Sequence, residues 1–176
     1  IYATALSAAQ VQQHYQTALA NPADYATTVS TQSPAGYWRL DEAPGTAVLA
    51  DYSGHGHTAS IPTGITFGTQ GALVNSGDAD TAALFDGASG TFDVGHSTSL
   101  DAANTYSIEA WINPTDVGNY RPIAARGAGN ADDIEVYLET NNPPYLAVAH
   151  NRNNGGQFGY WRFPVPPSGN YTHVAV

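Results

Sequence analysis

Three clusters hold the residues best suited to chemistry. The run Asp51-Tyr52-Ser53-Gly54-His55-Gly56-His57 joins one carboxylate to a turn with two glycines. Such a turn exposes successive carbonyl oxygens, which suit a hard cation such as Ca²⁺, although that ion takes about six to eight oxygen ligands. In the competing interpretation Asp51 caps the turn by accepting from its own loop amides. The run Asp133-Ile134-Glu135-Val136-Tyr137-Leu138-Glu139 puts Asp133, Glu135 and Glu139 on one face of a strand. Glycoside hydrolysis with retention needs an acid and a nucleophile about 5 Å apart. Tyr137 takes the middle position and breaks that spacing, which leaves a polar strand face. Later come Tyr137, Tyr145, Tyr160, Trp161 and Arg162, with Asn141, Asn142, Asn151, Asn153 and Asn154 beside them. Rings can cover the apolar faces of a sugar while Arg and Asn bond its hydroxyls. Tyr137, Tyr160, Trp161 and Arg162 are therefore the candidate ligand-binding residues. His55 and His57 lie two apart and the other histidines are dispersed, so the three or four converging ligands of a zinc site are not expected.

Composition narrows the partners. The 176 residues carry 5 basic and 15 acidic side chains, a net charge of -10. All the basic residues are arginines, scattered singly as Arg39, Arg121, Arg126, Arg152 and Arg162. No basic stripe is available to neutralise phosphates, so nucleic acid is not an expected partner. No apolar run reaches the about 18 residues that suggest a membrane span, so no membrane insertion is expected. Cysteine is absent, which removes disulfides, thiolate zinc sites and cysteine nucleophiles. Methionine is absent too, and an opening of Ile-Tyr-Ala-Thr is expected of an interior piece of a longer polypeptide.

The elements that must position these residues are mostly strands. Ser7 and Gln10 have the form of a capping box at a helix start. Val11, Tyr15, Ala18 and Leu19 then recur at helical spacing as one apolar stripe, and Asn21-Pro22 ends the helix. Residues 21–35 have no sustained period and read as a linker. From Gly36 onward short apolar segments alternate with turn signals, which predicts strands over 36–40, 82–86, 90–94, 106–113, 122–126, 134–139, 145–150, 158–163 and 171–176. The fold class expected is all-β: two antiparallel sheets packed as a sandwich, with Trp38 and Trp111 in the core.

The order of certain short motifs resembles the laminin-G-like domains of the concanavalin-A-like superfamily. They are Tyr37-Trp38-Arg39-Leu40-Asp41-Glu42, the Asp51–His57 loop, Ala83-Leu84-Phe85-Asp86-Gly87, Tyr106-Ser107-Ile108-Glu109-Ala110-Trp111-Ile112-Asn113-Pro114 and Tyr171-Thr172-His173-Val174-Ala175-Val176. Tyr171 stands where that family usually has Trp. The resemblance implies a jelly-roll over 36–176 whose C-terminal part is missing. It also implies that Ile1 to Val11 resembles the closing strand and helix of such a domain. Residues 1–20 would then close a preceding repeat, or pack on 36–176 as a permuted edge. A structural Ca²⁺ is implied at Asp51 and the backbone of His57. The function implied is a non-catalytic, extracellular carbohydrate-binding or adhesion module of a repetitive secreted or surface protein, with glycans or neighbouring repeats as partners. A purely structural repeat is the alternative and a glycoside hydrolase the least favoured.

Overall fold

The structure is a computed structural model that describes residues 1–73, 80–101, 105–117, 120–127, 133–140, 143–151 and 158–176, without the side chains of Asp133, Asn151 and Phe158. It divides into two compact units, the first made of Ile1–Ala110 with Ala175 and the second of Trp111–Val174 with Val176.

The first unit opens with helix α1, Ala8–Ala20. The predicted capping box is present: Ser7 Oγ accepts from the Gln10 amide at 3.3 Å, and Gln10 Oε1 accepts from the Ser7 amide at 2.9 Å. The predicted buried stripe is corrected. His14 and Ala18 are the buried residues of α1, whereas Tyr15 is 45% exposed and Leu19 63%. Hydrophobicity alone mispositions the helix because His14 carries a partner, Glu109, that makes its burial favourable. Where the sequence reads as a linker, Pro22–Asp24 form a 3₁₀ turn and Tyr25–Thr31 form α2. Both pack against α1, and α2 buries Tyr25 and Val29.

Tyr2, 2% exposed, forms an antiparallel bridge with Ser107 through amide–carbonyl bonds of 2.9 and 3.1 Å. The strands of this unit are β1 (Val48–Leu49), β2 (Ala59–Ser60), β3 (Ile65–Gln70), β4 (Thr81–Phe85) and β5 (Glu109–Ile112), which crosses the division. β1 pairs with β2 and β3 with β4, both antiparallel. The β3–β4 register shifts between Thr66 and Thr69, and Gly68 sits there with φ +82, a backbone state that glycine adopts at no steric cost. No strand forms over 36–40. Leu40 takes φ 61, which turns the chain, and the Tyr37 amide donates to the Asp51 side chain instead of to a ladder. The strand expected over 90–94 is likewise absent. There Phe92 packs as a loop residue against Phe67 and Phe85, with ring centroids 6.3 and 5.5 Å away.

The second unit is dominated by an antiparallel meander. It comprises β6 (Arg121–Arg126), β7 (Asp133–Glu139), β8 (Tyr145–Asn151) and β9 (Phe158–Pro164), hydrogen-bonded in chain order. β10 (Thr172–Ala175) pairs with β5. The predicted alternation of β7 holds on one face, where Ile134, Val136 and Leu138 are buried with Leu146 and Val148 of β8. Each of these side chains contributes roughly 1.5–3 kcal/mol when fully buried. Trp38 and Trp111 are half-buried and not core. Trp38 donates its indole N–H to the His57 carbonyl at 2.8 Å, and Trp111 packs on His173 with centroids 5.0 Å apart. No helix among the described residues is long and apolar enough to cross a membrane.

Candidate functional site

Register decides which candidates meet. Glu139 pairs with Tyr145, Tyr137 with Ala147, and Ala147 in turn with Arg162, while Ala149 pairs with Tyr160. Residues at alternate positions share a face. Tyr137, Tyr145, Tyr160, Arg162 and Glu139 therefore converge over the small side chains of Ala147 and Ala149. Trp161, the remaining predicted ligand residue, is placed on the opposite face beside Val148, where it is 52% exposed. Its indole lies across Gly159. Asn141, Asn142, Asn153 and Asn154 lie outside the described residues, as does the side chain of Asn151.

The converging hydroxyls form one chain. Tyr137 donates to Tyr160 at 3.3 Å, Tyr160 to Tyr145 at 2.9 Å, and Tyr145 to Oε2 of Glu139 at 2.6 Å. Each donor polarises the next toward the carboxylate. The Arg162 guanidinium lies 4.5 Å from the Tyr145 ring centroid and 4.9 Å from that of Tyr160, a cation–π geometry. Burial pushes the Tyr137 hydroxyl well above the usual phenol range, and its bond to Tyr160 adds to the effect. Burial would also raise Tyr160. Hydrogen bonds with Tyr137, Tyr145 and Arg162, and the charge of Arg162, outweigh burial and hold it below that range. Tyr137 and Tyr145 are each only 8% exposed, Tyr160 is half-buried and Arg162 is exposed. The solvent-facing part of the cluster is thus Tyr160 with Arg162.

Two contributors were not singled out from the sequence for binding. Glu139 anchors the hydroxyl chain, and the cross-strand partnership of Glu139 with Tyr145 is a signal that becomes visible once the turn between β7 and β8 is located. Tyr120 packs on Tyr137 with ring centroids 4.8 Å apart at a 46° tilt, and no periodic signal marks it because it precedes its strand.

The Asp51 loop is organised differently from a cation site. Asp51 Oδ1 accepts from the amides of Tyr37 (3.0 Å) and Ser53 (2.9 Å), and Oδ2 from Ser53 Oγ (2.8 Å) and the His57 amide (2.9 Å). The His57 carbonyl accepts from Trp38. Both proposed calcium ligands are therefore engaged by protein donors. No group of three or more His, Cys, Asp or Glu side chains able to hold a metal occurs among the described residues. As placed, these residues do not fit the oxygen shell of calcium. Asp51 is the hub that ties residues 37, 53 and 57 together.

Residues 86–176, just over half of the chain, match the laminin-G-type family described as the concanavalin A-like lectin/glucanases superfamily. Neither the curated proteins nor the solved structures contain a match. The matched span runs from the Asp86 turn through the meander and its tyrosine cluster to β10, so the chain belongs to the concanavalin A-like lectin/glucanases superfamily.

Proposed function

We propose that this chain is a non-catalytic carbohydrate-binding module, a jelly-roll sandwich displayed extracellularly as part of a repetitive secreted or surface protein. The observation that carries this reading is the pairing of half-buried Tyr160 with exposed Arg162, backed by the fixed hydroxyl chain that ends at Glu139. An aromatic ring beside a guanidinium and oriented hydroxyls offers a sugar both an apolar contact and directional hydrogen bonds. Catalysis is disfavoured because the carboxylates of this face are already engaged: Tyr145 occupies Glu139, and the Tyr120 hydroxyl bonds Glu135.

A second reading, a purely structural repeat contacting its neighbours, is favoured by the burial of Tyr137 and Tyr145 and by hydroxyls that satisfy one another. A glycan array followed by calorimetry separates the two. Binding that falls about tenfold or more on Arg162→Ala, in a protein that melts as the parent does, supports the module. Absence of any bound glycan establishes the structural repeat.

A further inference from the structure

In the first unit, a groove of about 400 Å³ lies between α2, which contributes Thr27, Ser30 and Thr31, and Tyr37, Arg39 and Tyr52 opposite. The groove is shallow and open to solvent, which suits a single small residue held along one face. We propose that this groove binds one residue of a neutral sugar, with the tyrosine rings against its C–H surface and Arg39 and the α2 hydroxyls on its hydroxyl groups. The site is separate from the Tyr160–Arg162 cluster and does not depend on it.

Three observations converge on an uncharged, hydroxyl-rich ligand. The first is charge. Arg39 Nη2 is 2.9 Å from Asp41 Oδ2, so the guanidinium offers donors while its charge is offset, which disfavours phosphate or carboxylate ligands. The second is the helix wall. Ser30 Oγ donates to the Ala26 carbonyl and Thr31 Oγ1 to that of Thr28, both at 2.8 Å. With those protons committed, each hydroxyl retains lone pairs that can accept from a ligand O–H. The third is the aromatic wall. The Tyr52 amide donates to the Tyr37 carbonyl at 2.7 Å, which holds the two residues together, and their rings meet edge to face with centroids 6.3 Å apart. Tyr52 is 47% exposed, and the Arg39 guanidinium sits 5.6 Å from its centroid. Burial keeps the Tyr37 hydroxyl protonated, pushing its pKa up to about 12 although the charge of Arg39 opposes the rise.

The test is an amide chemical-shift titration of the whole chain with the methyl glycosides of glucose, galactose and mannose, each used alone. At least one glycoside is expected to shift the amides of Thr31 and Tyr52. Thr27→Trp fills the groove from an exposed helix position and is expected to weaken that response about tenfold or more, as is Tyr52→Ala. Tyr160→Ala is expected to leave it unchanged. The proposal is overturned if no glycoside shifts these amides or if Thr27→Trp leaves the response intact. Equal shifts from inorganic phosphate also overturn it. Failure of the Tyr160–Arg162 site would appear instead as loss of the Arg162-dependent signal, with the Thr31 and Tyr52 response retained.

Discussion

His14 in the middle of α1 is fully buried, and its Nδ1 lies 2.9 Å from Oε2 of Glu109 at the start of β5. Tyr2 stacks on the imidazole at 6.1 Å and Tyr25 meets it edge-on at 6.5 Å. One buried hydrogen bond thus joins the N-terminal helix to a strand ninety-five residues later, inside an aromatic box. Removing one partner leaves the other buried and unsatisfied, at a cost of about 1–3 kcal/mol. Glu109→Ala or His14→Ala should lower unfolding free energy by about that amount in urea denaturation. The double mutant should cost less than the sum of the single ones.

The other face of the same helix should be nearly silent. Tyr15 and Leu19 are 45% and 63% exposed. Replacing Leu19 with serine should change stability by no more than about 0.5 kcal/mol. Thermal melts of Leu19→Ser beside His14→Ala would expose the contrast, and a large loss from Leu19→Ser would place the buried face of α1 elsewhere.

Asp51→Ala should destabilise the chain by about 1–2 kcal/mol, the scale of a lost side-chain cap. The loss should be equal in calcium and in chelator, since protein donors already engage both carboxylate oxygens. Burial raises the Asp51 carboxyl, but hydrogen bonds from Tyr37, Ser53 and His57 prevail and lower it. A lowered folded pKa gives stability that is present above the unfolded value, near about 4, and is lost as pH falls through the folded one. Acid titration of Asp51→Ala should therefore show a shallower loss below about pH 4 than the parent.

At the opposite limit, burial raises the hydroxyls of Tyr2 and Tyr37, the second to about 12. The unfolded chain ionises these phenols near pH 10 while the folded chain resists, so stability should fall as pH rises above about 10. Tyr37→Phe should flatten that alkaline limb. Spectrophotometric titration should find Tyr160 ionising before Tyr137, and Arg162→Ala should raise Tyr160 toward the ordinary value.

Gly36→Ala tests the packing of the loop hub. A Cβ at Gly36 would come within 2.9 Å of Trp38 Cζ3, so the indole must move. Moving it breaks the bond from Trp38 Nε1 to the His57 carbonyl. The expected cost is about 1–3 kcal/mol, from one buried acceptor left unsatisfied. A changed tryptophan emission should accompany it.

Local signals were legible in the sequence. Ser7 and Gln10 specify a helix start through their own hydrogen bonds, with no other part of the chain involved. Ile134, Val136 and Leu138 alternate because a strand has a period of two, and the family match over residues 86–176 agrees with the resemblance that the short motifs implied. The loop motif around Asp51 announced a carboxylate hub but left its partner open between an ion and the loop's own amides. Only the folded chain supplied the Tyr37, Ser53 and His57 donors. The sequence likewise marked Tyr137, Tyr160, Trp161 and Arg162 as one group, and cross-strand register separated Trp161 from the rest and added Glu139. The buried face of α1 depended most on tertiary structure. His14 scores as a surface residue by polarity, and its burial becomes favourable only when Glu109, far along the chain, arrives to pair with it. Hydrogen-bond partners distant in sequence carry no local signature, so the helix start could be read directly while the direction the helix faces could not.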